Sequence, residues 1–184
     1  VYFDLETQRT ANDAGGWDKK SAMGMTVGVT YSTRTAGYKI YGENNVHELV
    51  QQLQQSDLVV GYNVLGFDYE VLMGYTVIDI AHSTPTLDLM VDLEKTIGHR
   101  IGLDSVAQST IGCGKTADGL DAIKWWREGR KLDVARYCCF DVKVTRLVHE
   151  YGMARGHVFY SDRMGRRRQV AVDWGTATRE SLAA

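Results

Sequence analysis

The sequence has no run of about 18 apolar residues, so no helix written in it is built to span a membrane. No secretory leader is visible, and Val1 opens directly on a strand-like run. Cysteine is scarce and odd in number: Cys113, Cys138 and Cys139, with no C-x-x-C zinc spacing. That argues against a disulfide scaffold and fits core cysteines in a reducing, cytoplasmic setting. Charge of one sign is lacking too, since the net charge is −2, which argues against a generic polyanion binder. Internal repeats and low-complexity linkers are absent. What is there is 184 residues, 44% hydrophobic and 24% charged, which fits a single globular domain over 1–184 with a sizeable core.

The cations are unevenly placed. Arg163, Arg166, Arg167 and Arg168 crowd the C-terminal segment, while acids gather in three short motifs elsewhere. A nucleic-acid enzyme separates its charges in this way, and a solvated arginine-rich turn looks the same.

Patterning gives a coarse fold. Residues 1–5 read as a strand, 7–20 as a long polar loop, and 23–31 and 38–41 as strands of an antiparallel meander. Asn45 is placed to cap a helix to about Gln55, and Leu58-Val59-Val60 is short and wholly apolar, as a buried parallel strand is. Helices are expected over about 66–73, 103–110, 122–128 and 134–151, with Asp88 and Asp104 as helix caps and a short strand at 86–89. A core of about 1–152 is then followed by a hairpin extension at about 156–174, turning at Met164-Gly165. Strands first as a meander, then alternating with helices, predict an α/β fold: a mixed sheet with helices on both faces. At least one of Trp125 and Trp126 is expected in the core.

The chemistry lies in the acids. Asp4 and Glu6 are two apart on a strand and share a face with Tyr2, while Phe3 and Leu5 point the other way. Two adjacent carboxylates on a central strand repel each other and resist burial, and a bound cation removes both problems. An edge strand with a solvated polar face is the bland alternative. Asp68 follows a short buried strand, where functional groups gather at the ends of sheet strands. Tyr137 and Asp141 are four apart on a helix, hence on one face, and Thr145 continues that stripe. The stripe acts in chemistry only if it faces Asp4 and Glu6. Gly114-Lys115-Thr116 is no phosphate loop, because Ser109 stands where a glycine is required and no strand precedes it. Lys115 is still placed to reach toward substrate.

The order D-x-E, N-x-x-x-F-D and Y-x-x-x-D resembles the three motifs of the DEDD (DnaQ-like) 3′–5′ exonuclease superfamily, over Asp4 to Asp141. F-D-L-E-T-Q, V-V-G-Y-N-x-x-x-F-D-Y and P-T-L-D-L look like the stand-alone, helicase-associated-type exonuclease domains of bacteria and phages. One branch carries histidine five residues before the last Asp, where this chain has Arg136; Tyr137, four before it, resembles the tyrosine branch, DEDDy.

The resemblance implies a ribonuclease H-like fold and a 3′–5′ exonuclease acting on single-stranded nucleic acid ends, DNA before RNA, with a possible functional link to a helicase. It implies two Mg²⁺ or Mn²⁺ ions, with Asp4 between them, Glu6 and Asp141 on the ion that activates water, Asp68 supporting the second, and Tyr137 orienting the water. Hard cations want oxygen ligands, which these residues supply. A phenol is a poor base at neutral pH, so Tyr137 orients rather than deprotonates. For substrate contacts, Thr7 falls at the position that touches the terminal nucleotide in relatives. Asn63 either bonds nearby backbone or a carboxylate, or is a loop residue or helix cap, and Trp17 either stacks on a base or closes a small apolar cluster. Other readings are an RNA-trimming exoribonuclease, a structure-specific endonuclease, and a binding module that has lost catalysis.

Overall fold

The computed structural model describes residues 1–114, 117 and 119–183. Lys115, and with it the expectation that it reaches substrate, lies outside the described residues.

The chain opens with β1 (Tyr2–Thr7), α1 (Ala11–Ala14), β2 (Met25–Ser32), β3 (Gly37–Gly42), α2 (Val46–Gln54) and β4 (Val59–Gly61). It continues with α3 (Asp68–Leu72), α4 (Ile80–Ser83), β5 (Thr86–Asp88), α5 (Leu89–Ile97), α6 (Leu103–Ile111) and α7 (Gly119–Arg127). The long α8 (Lys131–Arg155), β6 (His157–Ser161), β7 (Arg167–Ala171) and α9 (Trp174–Ala183) complete it. Five strands form a mixed sheet in the order β3-β2-β1-β4-β5, and β6 and β7 form a separate two-stranded ribbon. The meander is antiparallel, while β4 and β5 run parallel to β1, as the wholly apolar run at β4 predicts.

The sheet separates two cores. On one side Phe3, Leu5 and Val59 pack with α2, α3 and α4 through Leu49, Leu53, Val71 and Ile80. On the other, Tyr2, Val27, Val29 and Val60 pack under α5 to α9. The alternation along β1 puts Tyr2, Asp4 and Glu6 on the second side, under α8.

Several local expectations are corrected. The 7–20 stretch is not a plain loop: Thr10 and Asp13 form a reciprocal capping box around α1, and a 3-10 turn covers Trp17–Ala22. The signal was Thr10-x-x-Asp13, which precedes no apolar run and so passes unread. Asn45 occupies the cap position of α2, but its amide bonds Glu48 Oε1 (2.8 Å) and caps nothing. Gly102 caps α6, leaving Asp104 in the first turn. Trp125 and Trp126 are both half-buried at the edge of the core. The fully buried tryptophan is Trp174, on a final helix the patterning does not reveal.

Trp174 closes a buried aromatic group with His149 and Tyr2. His149 is 1% exposed, its Nδ1 meets the Tyr2 hydroxyl at 3.0 Å, and its Nε2 meets Thr178 Oγ1 at 3.2 Å. Burial, helped by the positive chain start, lowers its pKa from 6.5 to about 4. An unfolded chain takes up this proton below about pH 6.5, but the folded chain refuses it until about 4, so stability falls as pH drops through that window. Denaturant unfolding at about pH 7 and 4.5 is expected to show roughly 2–3 kcal/mol lost through this side chain. His149→Gln is expected to flatten that part of the dependence; an unchanged slope would show that other groups carry it.

Candidate active site

The site is assembled by α8 crossing β1 in the opposite direction. Tyr2 meets His149 near the end of the helix, and Asp4 meets Cys138 eleven residues earlier, so each step up the strand is a step down the helix. Asp141 thereby comes down on Asp4 and Glu6. One carboxylate oxygen of each of the three lies within 4.8 Å of the others. The polar stripe of α8 faces the sheet, with Thr145 2% and Tyr137 6% exposed.

Asp68 stands apart from that trio, for a backbone reason. β4 last pairs with β1 at Tyr2↔Val60 and then turns away. The turn needs Gly61, where a Cβ would meet Val64 Cγ1 at 2.2 Å, and Asn63 in the left-handed region at φ 67°. Beyond the turn, Leu5 N–H on β1 has no strand to pair with, and Asp68 Oδ1 accepts it at 3.0 Å. The Asp68 carboxylate therefore takes the place of the missing strand and sits beside Asp4, where β4 has left the central strand β1.

Four acids this close disturb one another. Asp4 is pushed well above the usual carboxylate range, first by burial and then by Asp68, Asp141 and Glu6, with a hydrogen bond from Cys138 opposing. Burial pushes Asp68 up to about 8 against the stabilising N–H of Leu5. The Tyr137 phenol is raised by burial and by the charges of Asp141 and Glu6. It is a donor at any ordinary pH and no base. Such a set is costly as bare anions, and its donors are all oxygens, so a hard divalent cation fits it.

Beside Glu6 opens a pocket of about 510 Å³, lined by Thr7, Trp17, Phe67, Leu120 and Ile123. Its walls are mostly apolar, and Glu6 is among the residues that line it. Phe67 and Trp17 lie with ring centroids 6.4 Å apart.

A family model of the RNase_H superfamily matches residues 1–151. The chain belongs to the RNase H superfamily. The five-stranded mixed sheet with flanking helices is an RNase H-like α/β fold, and a nuclease-type activity follows from that membership. Its substrate class is nucleic acid, and nucleases of this kind generally use divalent metals, consistent with the acidic group at Asp4, Glu6 and Asp141. A search of curated proteins gives no match. No helix among the described residues is long and apolar enough to cross a membrane.

Within this RNase H-like frame the remaining sequence candidates separate. Thr7 is 5% exposed on the pocket wall, with its hydroxyl donating to Arg9 O (3.1 Å). Trp17 does not close an apolar cluster: it is 67% exposed at the pocket lip. Asn63 does not line the pocket, its Oδ1 is buried without a partner among the described residues, and its backbone shapes the turn. Asp88 caps α5 as expected and does more. It accepts Met90 N–H and Val91 N–H, and also Asn63 N–H (2.8 Å) and Leu65 N–H (3.0 Å), so it straps the loop that delivers Asp68.

Cys138 was missed. Its sulfur lies 3.3 Å from Asp4 Oδ2 and 3.4 Å from Asp4 O, donating to the carboxylate at the centre of the group. The legible signal was its place three residues before Asp141, on the same side of the helix.

Proposed function

We propose that the chain is a 3′–5′ exonuclease of the DEDDy type, hydrolysing single-stranded nucleic acid ends, DNA before RNA, with two Mg²⁺ or Mn²⁺ ions. The observation that carries this reading is the meeting of Asp4, Glu6 and Asp141 from a strand and a distant helix, with Tyr137 one turn before Asp141 on the same helix. Asp4, Glu6 and Asp141 would hold one ion, and Asp68 with Asp4 would support the other. A bound pair of divalent ions lowers the pKa of the attacking water and offsets charge at the phosphorus. The chain's own residues do the rest. Water adds to the terminal phosphate, the P–O3′ bond breaks, the shortened strand keeps a 3′ hydroxyl, and a 5′-mononucleotide leaves. Tyr137 donates toward the water and orients it, and Thr7 and the Trp17–Phe67 pocket take the unpaired terminal base. We read residues 1–184 as one working unit in a cytoplasmic setting, a helicase being the natural source of such ends.

The deciding experiment incubates the protein with Mn²⁺ or Mg²⁺ and labelled linear and circular single strands, DNA and RNA. Mononucleotides released from 3′ ends, with circles intact, are expected. Cut circles would establish an endonuclease instead, and no cleavage at all would leave a binding module.

Two substitutions sharpen the roles. Trp17→Ala is expected to raise KM roughly tenfold, the worth of one stacked base, without changing stability, because the ring is exposed. An unchanged KM would remove the stacking role. Tyr137→Phe is expected to lower kcat about 10- to 100-fold while oligonucleotide affinity holds; unaltered turnover would make the ring a packing element against Trp125, 6.2 Å away.

A further inference from the structure

We propose that the β6–β7 ribbon is a phosphate-binding arm that grips the nucleic-acid strand away from the acidic centre. The proposal rests on the nuclease reading above. Between residues 161 and 171 there are four arginines and one acid, Asp162, in a chain whose net charge is −2. The arginines are organised rather than merely crowded. Asp162 Oδ2 accepts Nε–H from Arg166 (3.0 Å) and from Arg168 (2.9 Å). Arg167 donates its Nε–H to Ser109 O (2.9 Å), and its guanidinium lies 3.6 Å over the Phe159 ring. Arg163, exposed beside the turn, makes no ion pair among the described residues.

Three guanidiniums thus spend Nε–H on the protein, and the side chains of Arg166 and Arg168 remain 59% and 48% exposed. Their amino groups are the donors left at the exposed ends, held in fixed directions. Exposed ion pairs add little stability, so one arginine on Asp162 would serve the fold as well as two. A planar fork fixed in advance is what bidentate recognition of phosphate uses, because its ordering entropy is already spent.

The ribbon is also placed for the task. It is bonded to α6 through Ser105–Ser161 and Thr110–Phe159, and the start of α6 (Leu103 and Asp104) shares a crevice with Asp141. One nine-residue helix, about 13 Å long, therefore joins the arm to the acids. Four carboxylates with two divalent ions bound carry no net positive charge, so cations elsewhere are needed to hold the rest of the strand. Arg167 over Phe159, with His157 beside that ring, adds a mixed cationic and aromatic face to the ribbon, which suits a strand of bases and phosphates better than a lipid surface.

The test measures binding of a labelled single-stranded oligonucleotide across a salt series, in an Asp141→Asn background, for Arg163→Gln alone and for R163Q/R166Q/R168Q. The triple variant is expected to bind about 10- to 100-fold more weakly at ~0.1 M salt, with the log–log salt slope shallower by about 2. R163Q breaks no side-chain hydrogen bond or ion pair among the described residues, and it is expected to weaken binding about threefold and shorten the slope by about 0.7. With Asp141 restored, kcat on a dinucleotide, too short to reach the ribbon, is expected to stay at the parent value in both. Parent affinity and slope in R163Q and in a folded triple variant would overturn the arm while leaving the nuclease reading intact. An oligonucleotide that neither binds nor is cut by the parent protein would overturn both. Anionic vesicle binding lost in the triple variant, with oligonucleotide affinity unchanged, would overturn the proposal and assign the ribbon to a lipid surface.

Discussion

Asp141→Asn is expected to lower nuclease turnover by at least ~10³-fold, about 4 kcal/mol at the transition state, without unfolding the chain. The oxygen of Asp141 lies within 4.8 Å of those of Asp4 and Glu6, so an amide there removes one of three converging anions. The same substitution has an expected signature in stability, of opposite sign to an ordinary core defect. With divalent ions chelated, the three carboxylates repel one another, and Asn relieves part of that repulsion. The variant is therefore expected to melt at or above the parent temperature in chelator. Adding Mn²⁺ raises the parent's Tm through binding to the folded state, and that rise is expected to be lost in the variant. Full turnover in Asp141→Asn, or an equal Mn²⁺-induced rise in both proteins, would remove Asp141 from the centre.

Trp174→Ala is expected to be the most destabilising of the substitutions considered, costing about 3–5 kcal/mol. The indole is 1% exposed, its Nε1–H donates to Asp92 Oδ2 (2.7 Å), and its ring lies 5.8 Å from His149. It crosses α8 at Gly152, where a Cβ would stand 2.3 Å from Trp174 Cε3; only a residue without a side chain permits the crossing. For a chain of this length the cost corresponds to a fall of about 6–20 °C in Tm. Nuclease activity measured well below the new Tm is expected to survive, since the indole packs with His149 rather than with the acids. A Tm within about 2 °C of the parent would show that α9 contributes nothing to the second core.

The strands, and the faces that carry Asp4 with Glu6 and Tyr137 with Asp141, were legible because each rests on a periodic signal; that the two faces meet was not. Period-two alternation put Asp4 and Glu6 on one face, the apolar triplet marked β4, and four-residue spacing aligned Tyr137 with Asp141. What escaped depends on contacts between distant segments. Asp68 pairs with Leu5 N–H because β4 diverges after Val60, and no local pattern encodes a divergence. Asp88 looks like a helix cap in sequence, yet half of its bonds go to a loop some 25 residues away. Cys138 reads as one more core residue until α8 is laid on β1. Trp174 follows a hairpin and opens a helix of mixed polarity, so its burial is decided wholly by the gap at Gly152.

The most direct measurement is anomalous diffraction from crystals soaked in Mn²⁺. The account predicts two peaks about 3.5–4 Å apart, one against Asp4, Glu6 and Asp141 and the other on the Asp68 side of Asp4. Well-ordered acids with no anomalous density between them, in crystals whose protein is folded as described, would contradict it.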